Sequence, residues 1–174
     1  MRHGLRWWRH LWMDDSDSRR AVPPAAAQRL ARRVADSERH HTGEICVCVE
    51  ASLPLNWCWA ARQDDLAQTL RTRAWTWFGQ LGVWDTPHNN GVLIYVLLAE
   101  RAIEIVADRG LAQRLDPGVW QGLVADMEAA FRRRDHEAGL ALAIDRVGEL
   151  LQARFPDTEG AQAPNALPDA VILR

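Results

Sequence analysis

The chain has no lysine: all 21 of its basic residues are arginine. That absence removes Schiff-base chemistry at a lysine amine and the phosphate-gripping lysine of a Walker loop. Cysteine is scarce, at three in 174 residues. Cys46 and Cys48 lie two apart in one extended segment, where side chains share a face but are poorly placed to bridge each other. With no CxxC a zinc ribbon is excluded. The expectation is reduced, buried thiols in a cytoplasmic protein. No stretch approaches the ~20 apolar residues of a membrane span. Patterns of the GxSxG, HExxH and Walker kinds are also missing, as is a cysteine followed by five residues and an arginine.

What is present fits one domain. With 48% hydrophobic residues the chain can bury one good core. Arginine comes in bursts, Arg32-Arg33 and Arg132-Arg133-Arg134, but acidic residues stand nearby and the formal net charge is −2. A nucleic-acid surface is therefore not expected. Residues 1–22 read as an N-terminal arm dense in Trp and Arg, with charge spread through it and no small-residue cleavage site, so it does not read as a secretory signal. Two readings of Trp7, Trp8 and Trp12 stand: peripheral contact with a membrane interface, or packing on the domain.

Residues 23–155 read as the domain. After Pro23-Pro24, the residues Ala27, Leu30, Ala31 and Val34 keep helical spacing, and that helix is expected to end near His40 to Gly43. Glu44 to Glu50 is a strand apolar on both faces, hence covered on both. Leu66, Leu70, Ala74, Trp77, Phe78 and Leu81 trace a long helix closed by Gly82. Two strands follow, Gly91 to Leu98 and Ala102 to Ala107, and the three-residue link between them permits only an antiparallel hairpin. Asp116-Pro117 opens a helix, and another runs from about His136 to Arg154. Residues 156–174 read as an extended tail containing prolines. The order predicts an α/β fold, a three-layer α/β/α sandwich around a small mixed sheet of at least three strands, with one crossover and one hairpin.

That topology gathers His40, His41, Glu44, Asp85, His88, Asn89, Asn90, Asp108 and Arg109 at one sheet edge. Asp85, Asn89 and Asp108 are the natural oxygen ligands there for calcium or magnesium. The alternative is structural: Pro87, Asn89, Asn90 and Gly91 are turn formers, with Asn90 able to go left-handed, and Asp108 can satisfy Arg109 or backbone amides.

Asn89-Asn-Gly-Val-Leu-Ile94, then Arg101-Ala-Ile-Glu-Ile-Val-Ala-Asp-Arg-Gly-Leu111, resembles the TPM domain family. In that family an NNGVLL strand precedes an R-x-x-x-I-x-x-G-x-G-L hairpin and two helices, the last beginning near a GL such as Gly139-Leu140. The resemblance spans roughly residues 25–155. It implies an α/β sandwich, calcium-binding acid phosphatase activity as described for a plant thylakoid member, and, as for many bacterial members, a place beside LemA-type proteins. One departure stands out: where the family has glycine-tyrosine-glycine-leucine-glutamate, this chain has Ala107-Asp-Arg-Gly-Leu-Ala112.

Two function classes follow. Nine tryptophans, several in the flanks, beside no complete catalytic pattern favour a non-catalytic module that docks through Trp7, Trp8 and Trp12. Its partner would be membrane-associated, a LemA-type protein or another TPM-domain protein. The alternative is a divalent-metal-dependent phosphatase with the cation at Asp85, Asn89 and Asp108 and Arg109 compensating charge.

Overall fold

The run Ile-Cys-Val-Cys-Val-Glu has a side chain to bury on each face, and it becomes the middle of the sheet. In the computed structural model, which describes residues 10, 12–54, 57, 66–157 and 171–174, this run is strand β1, Ile45–Glu50, buried throughout. Strand β2, Val92–Leu97, runs parallel beside it with Ile45 opposite Val92 and Glu50 opposite Leu97. Strand β3, Ala102–Ala107, returns antiparallel, with Val92 opposite Ala107. The described helices are α1 Asp15–Ala21, α2 Pro24–Glu38, α3 Leu66–Gln80, α4 Arg109–Ala112, α5 Pro117–Arg132 and α6 His136–Arg154. A last strand, β4, Val171–Leu173, lies parallel to β1 on its other side, so the sheet order is β3-β2-β1-β4.

The two faces of the sheet have separate cores. Ile45, Val47, Val49, Ile94, Val96 and Ile105 pack with apolar residues of α2, α5 and α6. Cys46, Cys48, Leu93, Tyr95, Leu97 and Val106 pack with the Leu70, Ala74, Trp77 and Phe78 face of α3. Three layers result, as the periodicity predicts. Both described thiols are free. Burial pushes Cys46 up to about 12 and drives Cys48 upward as well, which makes them inert core residues.

The caps follow the sequence closely. Gly82 sits at φ 72 after α3, and Asp116 accepts from Gly118 N at 2.7 Å at the start of α5. Helix α2 stops at Glu38, a little before the predicted end, because the chain must turn through Thr42 and Gly43 to reach β1.

Both flanks add to the fold. Asp14 and Asp17 form a capping box on α1, and Val22, right after it, is fully buried in the α2 core. The end of the tail is held as a strand: Arg174 N donates to Val49 O at 2.9 Å, and Ala51 N to Arg174 O at 2.7 Å. Among the described residues no helix is long and apolar enough to cross a membrane.

Candidate functional site

The predicted edge exists and is held by backbone. Val92 N donates to Glu44 O at 2.8 Å, Asp108 N to Gly91 O at 2.8 Å, and Gly110 N to Asn89 O at 2.8 Å. A β-carbon on Gly91 would collide with the Val83 carbonyl, and one on Gly110 with the carbonyls of His88 and Asn89. Glycine is needed at both positions because two backbones touch there.

Within the turn it is Asn89, at φ 51, that takes the left-handed conformation. The sequence favoured Asn90 for that role. Asn90 is instead fully buried; its N donates to Thr86 Oγ1 at 3.0 Å, and its Nδ2 to Thr42 Oγ1 at 3.2 Å. These bonds tie the turn to the segment leading into β1, and they leave Asn90 Oδ1 buried without a partner among the described residues.

The three residues singled out as cation ligands, and Arg109 beside them, are only partly brought together. Asp108 caps α4, its Oδ1 accepting from Arg109 N at 2.6 Å. Asn89 Oδ1 accepts from Arg109 Nε at 3.2 Å. Asp85 is exposed and its N donates to Gly82 O at 2.9 Å. Asn89 Oδ1 and Asp108 Oδ1 thus already have donors, the first from the Arg109 guanidinium and the second from the Arg109 backbone. A divalent cation taking Asn89 Oδ1 as a ligand would have to compete with the Arg109 guanidinium for it. Among the described residues no three His, Cys, Asp or Glu side chains form a metal-holding group.

Of the three histidines expected at this edge, His88 is exposed in the turn and the other two go elsewhere. His40 lines an outer groove between α2 and α6. His41 is 3% exposed, with Nδ1 3.0 Å from Gly43 O and Nε2 3.0 Å from Ser37 Oγ. A carbonyl can only accept, so Nδ1 carries the proton and Nε2 receives the Ser37 hydroxyl. Of the arm tryptophans, Trp12 is 79% exposed; Trp7 and Trp8 lie outside the described residues.

At the far end of β1 the structure holds a polar cluster that the sequence reading missed. The Glu50 carboxylate is buried against α3, where Arg73 Nε donates to Oε2 at 3.0 Å and Arg73 Nη2 to Oε1. Trp77 Nε1 donates to Oε2 at 3.0 Å, and the Tyr95 hydroxyl to the same oxygen at 2.6 Å. The guanidinium lies over the rings of Trp57, at 5.1 Å, and Trp77, at 5.0 Å. Burial, then the Glu50 charge, drives the Tyr95 phenol upward. A carboxylate bonded by four donors and buried in this way is a pin between sheet and helix, shut off from any substrate in solvent. One signal was available: Arg73, three residues after Leu70 and four before Trp77, sits within the apolar stripe of α3 and needs a buried partner.

Comparison with known proteins agrees with the geometry. The chain shares its fold with the BA42 protein from the psychrophilic bacterium Bizionia argentinensis, solved by NMR, with TM-score 0.71 at 22% identity over 87% of this chain and 94% of that one. No curated protein matches the chain. The TPM domain model matches residues 16–150, which takes in every element from α1 through most of α6, including the glycine-locked edge. The chain belongs to the TPM domain family.

Proposed function

We propose that this TPM domain is a non-catalytic docking module, with its surface tryptophans seated on a membrane-associated protein, a LemA-type protein or a second TPM-domain protein. The observation that carries the reading is large indole surface left in water: Trp12 is 79% exposed, Trp84 56% and Trp75 43%. Each ring is an amphipathic anchor of the kind that dominates binding energy at protein interfaces. The test is capture of a purified, co-expressed LemA-type or TPM-domain partner by the parent and by Trp12→Ala, Trp75→Ala and Trp84→Ala variants. Loss of capture in at least one variant supports the module. Equal recovery by all three sinks the assignment of these rings to docking.

The second reading is a phosphatase-like hydrolase with calcium or magnesium near Asp85, Asn89 and Asp108. In its favour, Asn89 and Asp108 each accept a hydrogen bond from Arg109, and Asp85 and His88 are exposed in the adjoining turn. Calorimetric titration with each ion, paired with hydrolysis of a generic phosphomonoester, discriminates the two. Ion binding with turnover lost in Asp108→Asn would displace the docking reading.

A further inference from the structure

The opposite end of the sheet, where β1 and β2 finish, carries a cavity of about 700 Å³. Val96, Leu98, Phe131 and the His136 ring supply apolar wall, and Arg101, Arg132 and Arg134 supply the polar part. Arg132 has Glu128 at 3.6 Å. Arg101 and Arg134 have no ion pair among the described residues. The carboxylate that reaches this cavity, Asp17, is already engaged, by Arg20 at 3.2 Å and by Asp14 N at 3.1 Å. The cavity is therefore cationic.

His136 adds an independent observation. Its Nδ1 is buried with no hydrogen-bond partner among the described residues, while its ring is held edge-on to Phe131 with centroids 4.9 Å apart. That nitrogen is turned away from solvent, so His136 gives the cavity its ring as wall and leaves the polar contacts to the arginines.

The backbone points the same way. Arg101 closes the β2–β3 turn at φ 52, and Arg134 follows α5 at φ 61, with Asp135 N donating to Ala130 O at 3.2 Å as in a left-handed helix stop. Glycine or asparagine is the unstrained choice at such positions. Here both carry arginine, and both arginines line one cavity.

We infer that this cavity binds a small organic anion, its oxyanion head held by Arg101 and Arg134, and a short apolar stem lying on Val96, Leu98, Phe131 and the His136 ring. Guanidinium forks match the paired oxygens of a carboxylate or phosphate. Open α/β sheets place ligands outside the carboxyl ends of their parallel strands, which is where this cavity lies. It sits at the opposite edge from Asp85, Asn89 and Asp108, so it stands or falls independently of either reading above.

The test is calorimetry on the full chain with hexanoate, hexyl phosphate, inorganic phosphate and hexylammonium, with amide shift mapping by NMR. Both hexyl anions are expected to bind and to shift Ala99, Phe131 and His136. Whichever binds more tightly identifies a carboxylate or a phosphate head, and either supports the site. Arg101→Gln and Arg134→Gln should each weaken binding by about tenfold or more, the worth of one charge-assisted hydrogen bond. The two arginines are exposed, so the variants fold, and thermal melts verify it. Absence of binding by either hexyl anion overturns the inference. So does affinity unchanged in both arginine variants, or equal binding of hexylammonium. Inorganic phosphate bound as tightly as hexyl phosphate would overturn the apolar stem.

Discussion

Lowering the pH should loosen the seam between α2, α6 and β1, and His41 is the group that senses it. Buried between Ser37 and Gly43, its imidazole is neutral, and protonation would put a charge where water cannot reach. Burial is the main cause that lowers its pKa to about 4, aided by His40 and opposed by the Gly43 carbonyl. In the unfolded chain the same group titrates near its ordinary value of 6.5. Between those values the unfolded state binds the proton and the folded state does not. The stability is therefore full above about pH 6.5, falls as pH drops, and levels off below about pH 4. At about 1.4 kcal/mol per unit, the loss approaches roughly 3 kcal/mol. That is a large part of a typical domain stability of about 5–15 kcal/mol. Urea unfolding of parent and His41→Gln at a series of pH values between these limits isolates the effect, because every other titrating group is common to both. The stability of the parent relative to the variant should shrink steadily as the solution is acidified. A difference that stays flat with pH would refute the assignment of the acid sensitivity to His41, whatever the absolute stabilities.

Three further outcomes are expected. Gly110→Ala should cost about 1–3 kcal/mol, since its methyl meets two carbonyls, whereas Gly79→Ala on the open side of α3, with nothing within 4 Å, should stabilise by about 0.5–1 kcal/mol; thermal melts compare them. Arg73→Met leaves the Glu50 carboxylate buried with two donors gone and should cost about 3–5 kcal/mol in urea unfolding, part of which a second change, Glu50→Gln, should restore. Asn89→Ala should cost roughly 1–2 kcal/mol through the left-handed backbone, equally with calcium and with chelator, and Asn89→Gly should cost less; a calcium-induced rise in melting temperature that the parent shows and Asn89→Ala lacks would reinstate Asn89 as a ligand.

The parts of the fold legible in the sequence are those decided by local pattern. Two-sided apolarity places β1 and β2 inside the sheet, and three residues between β2 and β3 leave room only for a hairpin. Asp116-Pro117 and Gly82 mark helix ends because capping is a property of a few neighbouring residues. What escaped reading was decided at a distance. Val171–Leu173 is too short and too close to prolines to announce a strand; it becomes one because β1 offers an unpaired edge. Asn89 and Asn90 are interchangeable as left-handed residues by propensity, and the choice falls to the hydroxyls of Thr86 and Thr42, which only the fold brings to Asn90. The Glu50 pin joins three segments whose chain separations reach 45 residues, and periodicity carries no trace of that pairing beyond the misplaced-looking Arg73. The cationic cavity is assembled likewise, from a hairpin turn and the junction of two helices.

The residues that carry the family resemblance have a consequence for where chemistry should be sought. Asn89-Asn-Gly91 and Arg109-Gly-Leu111 meet as backbone against backbone: Gly110 N on Asn89 O, Asp108 N on Gly91 O, with no space for a β-carbon at either glycine. Leu111 is fully buried in the core beneath them. These residue types are accounted for by packing, by left-handed backbone at Asn89 and by the Asp108 cap, before any ligand is invoked. A motif so explained transmits the fold faithfully and says little about activity. The opposite edge shows the reverse pattern: arginines stand at two left-handed positions, a choice that packing alone would not make. Where residue identity serves the fold, substitution should register in unfolding experiments; where it works against the fold, as at Arg101 and Arg134, substitution by glycine should leave the domain as stable or more so, and the loss should appear only in binding.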